Sequence, residues 1–185
     1  KKVKPKADII ICSGENLKML LESNDYYLDE NFLKKHSLVP IFNSGISIKL
    51  KDSKKFTYTK MTHNTFIKIF SDKILGCGSS IYCKNENEFF KNKNILYAWG
   101  VEKEQFQDYF TSKINHEIKM DKKNCLEMVK TYSNQKIKDR ILKDKNIFDF
   151  IFKGIGSFEE PFTSHFIIEN NEIKKIEEND FKFSV

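Results

Sequence analysis

The chain has 185 residues, 39% of them apolar and 14% aromatic, which is enough for a buried core and excludes wholesale disorder. No run reaches the eighteen or so apolar residues that a membrane helix needs. The net charge is +6, yet Arg140 is the only arginine among 32 basic residues and lysine is interleaved with Glu and Asp throughout, which argues against nucleic acid as the partner.

In chain order, "KKVKPKAD" lacks the apolar core of a signal peptide. The expectation is a secreted or surface-associated protein whose leader has been removed, or otherwise a cytoplasmic one. "ADIIIC" reads as a buried strand. "ENLKMLLESNDYY" carries Leu17, Leu20 and Leu21 at helical spacing. "LDENFLKKH" reads as helical, with Asp29 as its cap. "SLVPIF" and "GISIKL" look extended; Pro40 makes the first an edge, and Ile46, Ile48 and Leu50 alternate in the second. "KDSKK" is a polar loop.

From His63 to Phe70 the pattern fits helix or strand, and Thr62 can cap a helix there. "KILGCGSSIYC" reads as a strand interrupted by glycine. "ILYAWGV" carries the only Trp and strong β formers and reads as a strand. "EKEQFQDYFTSKI" predicts a short helix, and 117–153 a largely helical stretch. "SHFIIENNEIKKI" predicts a hairpin turning at "ENN". The expected fold is α/β, a central mixed sheet flanked by helices in an α-β-α arrangement. A core over 1–110 is followed by a helical and hairpin extension over 111–185.

Cys12, Cys77, Cys83 and Cys125 form no CxxC, which argues against a zinc ribbon or a thioredoxin-like motif. Four cysteines allow three pairings, and the five residues between Cys77 and Cys83 permit a small disulfide loop without requiring one. No asparagine begins an N-x-Ser/Thr sequon, which removes one mark of a eukaryotic secreted surface.

Two stretches taken together carry a resemblance. "GEN" at Gly14–Asn16 is followed by "THNTFIKIFSDKILGCG" over 62–78. This order resembles the CAP superfamily, the cysteine-rich secretory, antigen-5 and pathogenesis-related proteins, whose motifs are "GEN" and "GHYTQxVWxxxxxLGCG". His63, Thr65, Leu75 and Gly76-Cys77-Gly78 fall on that second motif without a gap, whereas Thr62, Asn64, Phe66 and Ile69 depart from it. The resemblance implies a secreted, non-enzymatic protein that binds a small apolar ligand such as a lipid, or a protein partner. It implies a cleft in which Glu15 and His63 converge with a second glutamate, for which Glu30 is in the right interval. Such a cleft can hold a divalent metal such as zinc. It also implies that Cys77 is tied in a disulfide to Cys83, Cys12 or Cys125, with Cys83 favoured; a free, reduced Cys77 is the alternative.

Another arrangement competes. Cys12 precedes a predicted helix, whose N-terminus favours thiolate, and His165 heads a predicted strand, as the bases of cysteine hydrolases do. In a Cys-His hydrolase Asn170 or Asn171 would orient the imidazole. His36 stands alone, "NHEIKMD" at His116 lacks the second histidine of HExxH, and "GIGS" at Gly154 lacks the lysine of a phosphate loop. A plain protein-interaction module is the third reading.

Overall fold

The computed structural model describes residues 6–49, 58–85, 88–169, 171–178 and 185. Leu50, the loop 51–55, residues 86 and 87 of "ENEFF" and Asn170 lie outside the described residues. The fold is α/β. In chain order its elements are β1 (Cys12–Ser13), α1 (Leu17–Ser23), α2 (Glu30–Lys35), β2 (Val39–Pro40), β3 (Ile46–Lys49), α3 (His63–Phe70), α4 (Lys73–Ser79), α5 (Phe89–Trp99), α6 (Lys103–Ile114), α7 (Lys123–Lys143), α8 (Lys145–Phe148), a π-helical turn (Asp149–Lys153), β4 (Phe166–Glu169) and β5 (Glu172–Lys175).

The described residues gather into two compact units. One is built from the residues up to Thr59 and those from Lys145 to 178; the other from Lys60–Asp144 and Val185. The expected boundary after residue 110 falls within α6 of the second unit.

The first unit contains a mixed three-stranded sheet in the order β3-β4-β5. β3 and β4 run parallel with Ile46 beside Phe166, and β4 and β5 form the expected hairpin with Glu169 opposite Glu172. Ile9 adds an antiparallel bridge to Ile46 on the free side of β3. Ser47 and its neighbour Ile167 are buried, whereas every residue of β5 is exposed. A second, two-stranded ribbon pairs Cys12 with Pro40 and Ser13 with Val39. Asp29 caps α2 as its sequence implies, accepting the Phe32 amide at 2.8 Å. Leu33, Leu38, Ile147, Phe148, Ile151, Phe152, Ile167 and Ile176 are this unit's large buried side chains.

The second unit is helical. Thr62 caps α3 through the Thr65 amide at 3.2 Å, and Asp72 caps α4 through the Leu75 amide at 2.9 Å. Two expected strands are helices here. "LGCGS" lies in α4 and "ILYAW" in α5. The reason is packing. A β-carbon on Gly76 would enter the Trp99 and Phe66 rings, and one on Gly78 would enter the Phe110 ring and the Ser133 hydroxyl. The missing side chains let α4 approach α3, α5, α6 and α7 closely. That contact offsets the roughly 1 kcal/mol that each glycine costs a helix.

In α5 the buried residues are Asn92, Leu96 and Trp99, which is helical spacing. Asn92 is fully buried and pairs both of its amide groups with the Tyr82 backbone, at 2.8 and 2.9 Å. Gly100 then ends the helix at φ 60°, and the Val101 amide reaches the Leu96 carbonyl at 3.0 Å. Arg140 of α7 donates to the Phe70 carbonyl at 2.6 Å, and Tyr109 of α6 donates to Asp72 at 2.7 Å. The α3–α4 turn is thereby held from both of those helices.

Overpacking at these glycines has a defined cost. Gly78→Val is expected to lower the stability of the chain by about 3 kcal/mol in urea melts, whereas Cys83→Ser stays within about 0.5 kcal/mol of wild type. Equal effects of the two substitutions would remove the close-approach explanation.

Candidate functional site

Each residue singled out by sequence has a defined place. Glu15 is exposed in the turn before α1, in the first unit. His63 opens α3 in the second unit and is exposed, with its ring tilted on Trp99 at 4.3 Å between centroids. Among the described residues no group of three or more His, Cys, Asp or Glu side chains is placed to hold a metal ion.

All four cysteines are free, which corrects the expected disulfide. Cys77 is fully buried in α4, between the two glycines, and burial pushes its thiol up to about 12. Cys125 is buried in α7 and donates to the Glu117 carbonyl at 3.6 Å. Cys83 is half-buried in the segment after α4. The small residues around Cys77 serve helix packing rather than a bridged strand.

Cys12 lies on β1, where burial raises its thiol pKa, the opposite of what an activated thiolate requires. His165 precedes β4 and has partners other than a thiol. Its Nε2 lies 2.7 Å from Glu160 Oε1 and 3.2 Å from Thr163 Oγ1. The Thr163 hydroxyl also donates to Glu160 Oε1, and the Asn43 amide donates to Glu160 Oε2 at 3.2 Å. Asn171 sits exposed in the β4–β5 turn at φ 65°.

Glu160 is therefore the hub of a polar cluster. Burial alone would raise its pKa, but the hydrogen bonds from Thr163, His165 and Asn43 outweigh it and hold the carboxyl below its ordinary value. Reading the sequence identified His165 and missed Glu160, Thr163 and Asn43. The available signal was "EEPFTSH", which concentrates a carboxylate, a hydroxyl and an imidazole within six residues.

Lys6, in the same unit, is a cation perturbed by burial. Burial draws its ammonium down to about 8, with Lys49 adding repulsion. Its three donors are taken by the Tyr58 carbonyl, by Thr59 Oγ1 at 3.0 Å and by the Ile151 carbonyl at 2.9 Å. It ties three segments together and has no donor left for a substrate.

Asn43 leads to an exposed apolar surface of this unit. The Ile41 amide reaches the Ile11 carbonyl at 2.8 Å, which continues the β1–β2 ladder one step. Side chains alternate along strands, so Ile11, Ser13, Val39 and Ile41 share one face of the ribbon. Ile11 is 41% exposed, Val39 62%, Ile41 50% and the adjoining Phe42 65%. The turn carrying Phe42 is fixed on both sides: Ser44 Oγ donates to the Ile41 carbonyl at 2.5 Å, and Asn43 is held by Glu160. No residue of the neighbouring α1 is buried.

Comparison with family models, curated proteins and solved structures finds no match to this chain.

The Glu160 cluster gives a pH dependence with a definite sign. The folded carboxyl lies below its ordinary value of 4.5, so its contribution to stability is present above that pH. It is lost as pH falls through the lowered value. Urea midpoints measured from pH 7 down to pH 3 are expected to fall, and Glu160→Gln is expected to flatten that fall. A Glu160→Gln profile parallel to wild type would show that the cluster contributes nothing to acid sensitivity.

Proposed function

We propose that this chain is a non-enzymatic binding protein whose ligand is a protein partner, engaged through the face formed by Ile11, Val39 and Ile41 together with the adjoining Phe42. The observation that carries the reading is the combination of exposure and fixation. Aliphatic and aromatic side chains stand in solvent on a hydrogen-bonded ribbon whose following turn is anchored by Glu160. A pre-ordered apolar surface loses little conformational entropy on docking and releases water when covered. The raised pKa of Cys12, and the engagement of His165 with Glu160 and Thr163, favour binding over hydrolysis. Kinship with the CAP superfamily is supported by the order of the Gly14–Asn16 and His63–Gly78 motifs, and it points the same way, to binding without catalysis.

The test is comparative. Val39→Asp and Phe42→Asp place charges on the face without touching the core. Ile173→Asp, at an exposed position on β5, is the control. Complexes recovered with the full chain from its source cells are expected to be lost with the first two substitutions and kept with the third. Crosslinks formed from a photoreactive residue at position 42 should follow the same order. The same partners recovered with all three variants would overturn the reading.

A further inference from the structure

The ribbon ends in an open hydrogen-bonding edge, and that edge defines the kind of chain that fits it. Backbone groups alternate in direction along an extended strand. Ile9 exchanges both of its bonds with Ile46, each at 3.0 Å, the Ile11 carbonyl accepts the Ile41 amide at 2.8 Å, and Ser13 pairs with Val39. Residues 9, 11 and 13 therefore direct their backbone groups inward. The N–H and C=O groups of Ile10 and Cys12 point the other way. Among the described residues none of these four groups has a hydrogen-bond partner.

Other outer edges of this unit are protected. On β2 the outward-facing residue is Pro40, which has no N–H. β5 carries Glu172, Lys174 and Lys175, and charges along an edge deter further pairing. The Ile10–Cys12 edge has neither proline nor charge. It is also well seated. Ile10 and Cys12 are half-buried, whereas Ile9 and Ile11, on the opposite face of the strand, are exposed.

We propose that the partner docks by strand addition: an extended segment of it pairs with the backbone of Ile10 and Cys12 and lays apolar side chains beside Ile9 and Ile11. This rests on the ribbon reading above and specifies the chemistry of its partner. Directly opposed residues in a sheet share a face, so the residues added opposite Ile9 and Ile11 lie two apart, on the side of Val39 and Ile41. The segment is therefore apolar at alternate positions and rich in β-branched residues. A helix or a bilayer laid on the same face would leave the four backbone groups unpaired, at a cost wherever it excluded water from them.

The probe is a short capped peptide of alternating valine and threonine with a lysine at each end, titrated into the isotope-labelled full chain. Half-saturation is expected at or below about 1 mM. Near saturation, solvent exchange of the Ile10 and Cys12 amides should slow about tenfold. Cys12→Pro removes one outward N–H and no inward bond, and should weaken the peptide about fivefold. Cys12→Ala keeps that N–H and should stay within about twofold of wild type. If Cys12→Pro does not fold, Ile10→Pro carries the same test, and exchange at Ile10 and Cys12 in the unaltered chain reads the edge directly. No binding at about 10 mM, binding insensitive to the proline variant, or protection along β5 instead overturns the inference. Self-association through this edge in place of peptide binding also overturns it. Complexes kept with Cys12→Pro but lost with Val39→Asp overturn the strand addition and leave the ribbon reading standing, which separates the two failures.

Discussion

The parallel pairing of β3 with β4 is the constraint on which the chain's organisation depends. Parallel neighbours cannot be joined by a tight turn, and they need a crossover of a dozen residues or more. In this chain the crossover runs from Lys49 to Phe166 and contains all the helices of the second unit. Closing so long an interval costs only a little more than closing a short one, because the entropic penalty grows logarithmically with length. A crossover that folds into its own core is compatible with the pairing in a way that a long unstructured loop in a compact fold is not. The register is then specific. The His165 and Phe166 amides both reach the Gly45 carbonyl, at 2.8 and 3.0 Å, and a side chain at Gly45 would collide with the Thr163 carbonyl. That junction delivers His165, Thr163 and Glu160 to the end of β3, next to Asn43.

Within the helical unit, close approach has the corresponding role. α4 is short and carries two glycines, so its intrinsic helical tendency is poor. Its neighbours supply what propensity does not: Phe66, Trp99 and Phe110 occupy the space that side chains on Gly76 and Gly78 would have taken. The single arginine belongs to the same arrangement. Its planar fork satisfies a carbonyl at the end of α3 and lies 5.2 Å from the Phe70 ring, so it is committed internally. Most of the chain's net positive charge lies within 60–144, and lysines carry it.

What the sequence made legible was local. The Asp29 and Thr62 caps and the hairpin of β4 and β5 each depend on residues within a few positions of one another, and each is where the sequence places it, whereas in β3 the residue buried is Ser47 and not the expected Ile48, which is exposed. The two misread strands failed for non-local reasons. Glycines next to Cys77 resemble a strand bulge unless the rings that fill the vacated space are known, and Trp99 and Phe110 come from later helices. In α5 the β-forming residues Ile95, Tyr97 and Trp99 outweighed the helical spacing, because one member of the buried row, Asn92, is polar. Gly100 before the buried Val101 was the local signal of a helix end. The candidate site divides in the same way. The sequence pairs His165 with Cys12 as a candidate base, but its partner is Glu160, whose bond to Asn43 spans a sequence separation of 117 and follows only from the β3–β4 register.

The polar cluster and the apolar ribbon face are best understood as one device. Exposed aliphatic residues on a two-stranded ribbon are unfavourable in isolation, because so short a pairing is marginally stable in water. Here the ladder of β1 and β2 is short, but the turn that follows is held by a carboxylate from a distant part of the chain. Glu160 accepts from a hydroxyl, an imidazole and an amide together, so releasing the turn would leave a half-buried carboxylate short of partners, at a cost greater than that of one neutral hydrogen bond. The ordering cost of presenting Ile41 and Phe42 is therefore met by folding. A partner that covered them would gain the burial without having to order the turn, and this fixed exposure, more than exposure alone, is the physical basis of the proposed binding role.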